Sequence, residues 1–304
     1  MPSFLVTPVS NNNELQEVSV SEGHAFGGKV AIIEVEGMLM DVRSGGFLQP
    51  QENPLSLFTQ ELNQAAADPS VKAIVLRVNS PGGSVTTSDT MYDELMRFKA
   101  RTHKPVIASA QEVAASGAYY VSCGSDRIVV NPTSVVGSIG VIFETMDFVG
   151  TMDKIGVQAY AIKSAELKDM GSPFKHMTTK ERDVMQGMVD EYFERFKSVV
   201  TSNRPIKDSA TLALVTDGRV FSGDRAVELG LADQVGRLND AIDLARQMAH
   251  APSAQVVMYK RPYGYAGSIY ADTNVPAPKA DEMSLRLPTS GQMLPGGFYY
   301  MWQP

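Results

Sequence analysis

With 304 residues, a formal charge of −7 and 20% charged residues, the chain can form one large α/β domain, alone or with appendages, and lacks the basic face that nucleic acid requires. Its single cysteine, Cys123, excludes an internal disulfide and a cysteine-rich zinc site, and among apolar neighbours it reads as a small core residue. No apolar run approaches the ~20 residues of a membrane-spanning helix, and the start has neither the basic nor the long apolar region of a signal peptide.

In chain order, residues 1–27 are polar, rich in Asn, Ser and Glu, and read as a loose arm. Lys29 to Val35 is a β-type apolar run and the first core strand. Gly37 to Pro54, with a glycine pair and two prolines, reads as a loop. Leu55 to Ala67 places apolar residues at helical spacing, and Asp68-Pro69 stops it. Val71 to Val78 is a second buried strand. It runs into Asn79-Ser80-Pro81-Gly82-Gly83-Ser84, read as a tight glycine loop, and then a helix from Val85 to about Ala100. Val106 to Ala110 is the next strand, which completes a βαβ unit, and Arg127 to Val130 another. Met146 to Ile155 reads as a helix and Val157 to Ile162 as a strand. Thr179 to Val200 is the longest helix, capped by Thr178 or Thr179 with Glu181 in its first turn. Its apolar band, Met185 to Phe196, is broad enough for the core alone or for the core and a neighbouring subunit. Short helices follow at Asp224–Leu229 and Leu238–His250. The regular pattern ends at residue 250, and 251–304 reads as an aromatic, Pro/Gly-rich tail, partly disordered, whose segment Met258 to Tyr270 can dock on a surface.

Amide hydrolysis needs a nucleophile, a base and an oxyanion site. Ser116 lies in the small-residue segment Ala114 to Ala118, just past a strand, where another chain can approach closely. Such a segment suits a nucleophile, and equally a tight strand–helix contact. None of the four histidines, His24, His103, His176 and His250, has a glycine-rich or Asp-paired setting, and none forms a pair with helical metal-site spacing. Neither GxGxxG at the first strand nor GxxxxGK[ST] occurs. A desolvated lysine can act as base instead, and two lie in one loop, Lys163 and Lys168. The backbone N–H groups of Gly83 and Gly117 can face an oxyanion, since both glycines lie past strand ends, where ligands of α/β folds sit.

Four motifs then carry a resemblance: NSPGG at Asn79–Gly83, ASGAYY at Ala115–Tyr120, NPTSVVGSIGV at Asn131–Val141 and KSAELKDMGSP at Lys163–Pro173. In this order they resemble signal peptide peptidase A, the S49 family of serine peptidases, from about Lys29 to Gly236. The resemblance implies an α/β fold of the ClpP/crotonase type, with repeated β-β-α units and flanking helices, over residues 28–250. It implies a Ser-Lys dyad of Ser116 and Lys168, with Lys163 as the competing base. An oxyanion hole at Gly83 and Gly117 and a supporting role for Ser138 beside the dyad also follow. No cofactor or metal is implied. Ala118 stands where the family commonly has a second glycine.

The implied partners are peptides, such as apolar signal-peptide remnants, added as an extended strand near Gly83. The implied assembly is a homo-oligomeric ring or dome, of octameric type, in which neighbours can complete a site. Residues 1–27 resemble the polar segment that follows an N-terminal anchor in this family. A soluble cytoplasmic protein and one tethered at the cell envelope are both compatible with that start. Phage capsid-maturation relatives also belong to the family, but the tail does not resemble a scaffold segment. Two other classes share the fold. A crotonase-like acyl-CoA enzyme would turn over thioesters without serine chemistry, and a non-catalytic assembly or membrane-scaffolding protein would keep its function without Ser116.

Overall fold

The structure, a computed structural model, describes residues 15–21, 27–41, 53–261 and 297–302. From the N-terminus come β1 (Gln16–Ser19), β2 (Lys29–Leu39), α1 (Pro54–Ala67), β3 (Val71–Ser84), α2 (Val85–Thr102), β4 (Val106–Ala115), α3 (Gly117–Ser122), β5 (Arg127–Val130), β6 (Val135–Gly137) and β7 (Ile142–Glu144). Then follow α4 (Val149–Ile155), a 3₁₀ turn (Glu166–Asp169), α5 (Thr179–Asn203), α6 (Ser209–Val215), β8 (Val220–Phe221), α7 (Gly223–Glu228), β9 (Gln234–Val235), α8 (Leu238–Met248), β10 (Gln255–Lys260) and β11 (Gly297–Met301).

One sheet runs β1-β10-β2-β3-β4-β5-β9, parallel except at β1. Parallel strands covered on both faces need apolar side chains on both, which is why β2 and β3 read as unbroken apolar runs. Ala31, Ile33, Leu76 and Val78 face a core closed by α1, α2 and α3, while Val30, Ile32, Ala73 and Val75 face Leu238, Ile242 and Ala245 of α8. Arg77, the buried charged residue of β3, lies between Glu34 and Glu36 of the paired strand β2. The result is a mixed α/β fold consistent with the ClpP/crotonase type.

The ends of β3 and β4 separate. After Ser80 pairs with Ala114, β4 continues beside β6, and β3 continues beside β11. The expected glycine loop Asn79–Ser84 is therefore strand. A register irregularity past Val78 turns the backbone, and glycines at 82 and 83 let neighbours close in from both sides. A Cβ on Gly83 would stand 2.0 Å from the Leu39 carbonyl oxygen of β2.

Several other expectations shift. Gln16–Ser19, within the expected arm, pairs with β10, and Gln255–Lys260, within the expected tail, is a core strand beside β2. Its Val256, Val257, Met258 and Tyr259 are all buried, so both faces of that strand meet apolar neighbours. Of the expected loop Gly37–Pro54, residues 37–39 extend β2, and residues 42–52 lie outside the described set, as does most of the expected tail. Val157–Ile162 forms no strand. It finds no partner, and Tyr160 and Ile162 are exposed. The longest helix behaves as read. Thr178 and Glu181 form a reciprocal capping box, an arrangement that contributes about 1 kcal/mol.

Candidate active site

Ser116 is the hinge between β4 and α3, with φ 53° and ψ −118°. A non-glycine residue there is strained by about 1–3 kcal/mol. The conformation is held from both sides: Ser116 N–H donates to Gly137 O at 2.7 Å, and Ser116 O accepts from Tyr120 N–H at 2.8 Å. The corner fits only because its neighbours are small. Ala115, Gly117 and Ala118 are buried, and a Cβ on Gly117 would meet Ser88 Oγ at 2.2 Å. A strand turning sharply into a helix places the serine where unpaired helix N–H groups begin.

The backbone of β3 reaches the same point. A Cβ on Gly82, whose φ is +99°, would stand 2.6 Å from Gly117 N, and one on Gly117 would stand 3.2 Å from Gly83 N. Ser116, Gly117 and Gly83 are thus brought together. Ser138 joins them through Gly137, the acceptor of the Ser116 N–H, and has φ 50° with its N–H on Arg219 O. A cleft of about 380 Å³ opens beside it, lined among others by Ser138, Gly140, Val189, Phe193 and Asp217.

Lys168 lies inside, and Lys163 just before, the 3₁₀ turn Glu166–Asp169. Lys168 is exposed in the 3₁₀ turn Glu166–Asp169 and makes no side-chain hydrogen bond to Ser116 within the chain. Lys163 donates to Glu166 O at 2.9 Å and to Asp169 Oδ1 at 2.7 Å, and Lys175 donates to the same carboxylate oxygen. Those hydrogen bonds, Lys163's first and Lys175's next, hold the Asp169 carboxyl down at about 2. One histidine does have an acidic partner after all. His176 Nδ1 lies 2.6 Å from Asp147 Oδ2, an exposed pair that Ser116 does not join. Cys123 is buried, and burial pushes its thiol up to about 12, as suits a core residue.

Sequence reasoning missed the aromatic support. Tyr120 donates to Asp89 at 2.6 Å, and Arg195 of α5 grips the same carboxylate with two donors. This ties α2, α3 and α5 around the serine corner. Tyr120 stands inside the ASGAYY motif, but Asp89 and Arg195 lie in ordinary amphipathic helices with no local signal. Among the described residues, no group of three or more histidine, cysteine or carboxylate side chains is placed to hold a metal ion, and no helix is long and apolar enough to cross a membrane.

A parallel α/β sheet with a strained serine at a strand–helix corner, and backbone amides converging beside it, is the framework of a hydrolase site. Residues 99–251 match the sequence profile of peptidase family S49. The chain is 36% identical over 259 residues to a signal peptide peptidase SppA of Enterococcus faecium, covering 84% of this chain and 74% of the relative. It is 35% identical over 237 residues to a protease of Methanocaldococcus jannaschii, covering 77% and 75%. It is 29% identical over 229 residues to capsid assembly protease C of Escherichia phage lambda, covering 75% and 51%. The chain belongs to peptidase family S49 and is a serine peptidase of that family.

Proposed function

We propose that this chain is an endopeptidase that cuts extended apolar peptides, signal-peptide remnants among them, through an acyl-enzyme on Ser116 with Lys168 as base. The observation that carries the reading is the convergence of Gly83 and Gly117 backbone on the strained Ser116 corner. The Lys168 amine takes the Ser116 proton as Oγ attacks the scissile carbonyl. Gly83 N–H and Gly117 N–H hold the oxyanion, and Ser138 helps to orient the base. The lysine then protonates the leaving amine and activates the water that releases the acyl group.

Lys163 is committed to Asp169 and the Glu166 carbonyl, which supports Lys168 as the base. Lys168 is exposed, and the segments before and after it in the chain also expose large apolar residues, Ile142, Phe148, Ile155, Val157 and Phe174. Such a surface suits contact between copies of the chain. In this reading a ring of subunits brings the Lys168 of one copy to the Ser116 of the next.

The test is peptidase activity on short apolar fluorogenic peptides, with folding and oligomeric state matched across variants. Ser116→Ala is expected to lose at least about 10³-fold and Lys168→Ala about 10²- to 10⁴-fold, while Lys163→Ala keeps activity. Unchanged activity in Ser116→Ala would overturn the mechanism. Loss in Lys163→Ala with retention in Lys168→Ala would exchange the two lysines.

A further inference from the structure

The Tyr120 N–H holds the Ser116 carbonyl, and Tyr120 is itself anchored at the far end of its side chain. Its hydroxyl donates to Asp89 Oδ1 at 2.6 Å. Arg195 of α5 meets the same carboxylate with Nε on Oδ1 at 2.8 Å and Nη2 on Oδ2 at 2.9 Å. This two-pronged geometry fixes the direction of a carboxylate as well as its place. The Tyr120 ring is fully buried, edge-on to Tyr92 of α2 at 5.4 Å and to Phe196 of α5 at 5.0 Å. Burial, with Asp89 beside it, pushes the hydroxyl well above the ordinary tyrosine range, so it stays a donor.

The helix that carries Asp89 also fixes the other half of the site. Ser84, next after Gly83, caps α2 by accepting the Thr87 N–H at 3.3 Å. Ser88 Oγ donates to Ser84 O at 3.0 Å and stands 2.2 Å from where a Cβ on Gly117 would lie. The first turns of α2 therefore touch the Gly83 strand end and Gly117, and the next residue, Asp89, takes hold of Tyr120. Arg195 is exposed and Asp89 half-buried, and ion pairs in such places add little to folding stability. What this pair sets is the position of α3 against α2.

We infer that Asp89 is a positioning residue of the peptidase reaction. Gripped by Arg195, it holds Tyr120, and through Tyr120 the Ser116 corner, at the spacing from the Gly83 and Gly117 amides that the oxyanion needs. This rests on the peptidase reading above. Asp89 acts only through Tyr120 and moves no proton of the substrate. Misplacing a reacting group by about 1 Å can cost ~10²-fold in rate, and donors aimed at an oxyanion act in the transition state rather than on the bound peptide. Loss of the Asp89 anchor therefore lowers kcat and leaves KM.

The test is steady-state cleavage of short apolar fluorogenic peptides by the full-length chain, with folding and oligomeric state matched across variants. Asp89→Ala strips the Tyr120 hydroxyl of its acceptor. It is expected to lower kcat about 10- to 100-fold with KM within about twofold of wild type. Asp89→Asn keeps an acceptor oxygen for the hydroxyl and should bring kcat back to within about threefold. Tyr120→Phe removes the same bond by one oxygen atom and should lower kcat about tenfold, again at constant KM. The double variant should be no slower than Asp89→Ala, because both changes break one bond. With an active wild type, an unchanged kcat in Asp89→Ala, a loss confined to KM, an Asp89→Asn as slow as Asp89→Ala, or losses that multiply in the double variant overturns the inference and leaves the peptidase reading standing. Where Asp89→Ala does not fold, Tyr120→Phe decides alone: unchanged kcat overturns the inference. A wild type that cleaves no peptide sinks the peptidase reading and this inference with it.

Discussion

Gly83 and Tyr300 face each other across an antiparallel strand pair, and the Tyr300 carbonyl oxygen lies against the Gly82 and Gly117 backbone beside Ser116. A single point therefore joins β3, the serine corner and the far end of the described chain. Any change that moves this point acts on both packing and chemistry.

Gly82→Ala is the sharpest single probe of it. A methyl group there meets the Tyr300 carbonyl oxygen at 2.1 Å and Gly117 N at 2.6 Å, at a φ of +99° that L side chains resist. The expected result is a loss of more than about 1 kcal/mol, a Tm lower by at least about 2 °C, and loss of peptidase activity. Gly187→Ala is the control. That glycine sits inside α5 with nothing within 4 Å of a Cβ, and the substitution should stabilise by about 0.5–1 kcal/mol. Equal melting curves for the two variants would contradict this account of the corner.

The proposed pairing of one copy's Lys168 with the next copy's Ser116 gives a complementation test. Ser116→Ala keeps the lysine, and Lys168→Ala keeps the serine. Each alone is expected to be inactive, and unfolding and reassembling the two together should restore activity, because mixed assemblies pair an intact serine with a neighbour's intact lysine. Restoration cannot occur if both groups act within one subunit, so a mixture as inactive as its components would sink the shared-site arrangement.

The loop bearing the lysines should be acid-resistant. Asp169, bridged by Lys163 and Lys175, is held down at about 2 in the fold, against about 3.9 in an unfolded chain. A depressed carboxyl contributes its stability above the unfolded value and loses it as pH falls through the folded one. Limited proteolysis of residues 163–175 should therefore be flat from pH 7 to about 4 and rise between about 4 and 2. Asp169→Asn should show the raised rate already at pH 7. A wild-type loop that opens near pH 5 would refute the bridge.

Much of this architecture was legible in the residues because it rests on local rules. Buried parallel strands need unbroken apolar runs, as at Val30–Val35 and Val71–Val78. A helix start needs a cap, as at Thr178 with Glu181. A serine among Ala and Gly after a strand marks a tight corner, and Ser116, Gly117, Gly83 and Ser138 do gather there. What escaped depends on partners far along the chain. Gly82–Gly83 read as a loop because glycine signals turns. It is strand because Leu39 lies on one side and Tyr300 on the other. Val157–Ile162 alternates like a strand but has no neighbour to pair with. Gly297–Met301 is too short to stand out from its surroundings, and only β3 and β7 make it a strand.

The central claim, that Ser116 is the nucleophile, is tested most directly by a fluorophosphonate probe with intact-mass and peptide-level mass spectrometry. The account expects one adduct per chain, on the peptide containing Ser116, and none on Ser116→Ala. An adduct that persists in Ser116→Ala, or peptide cleavage by a wild-type protein that takes up no probe at Ser116, would contradict it.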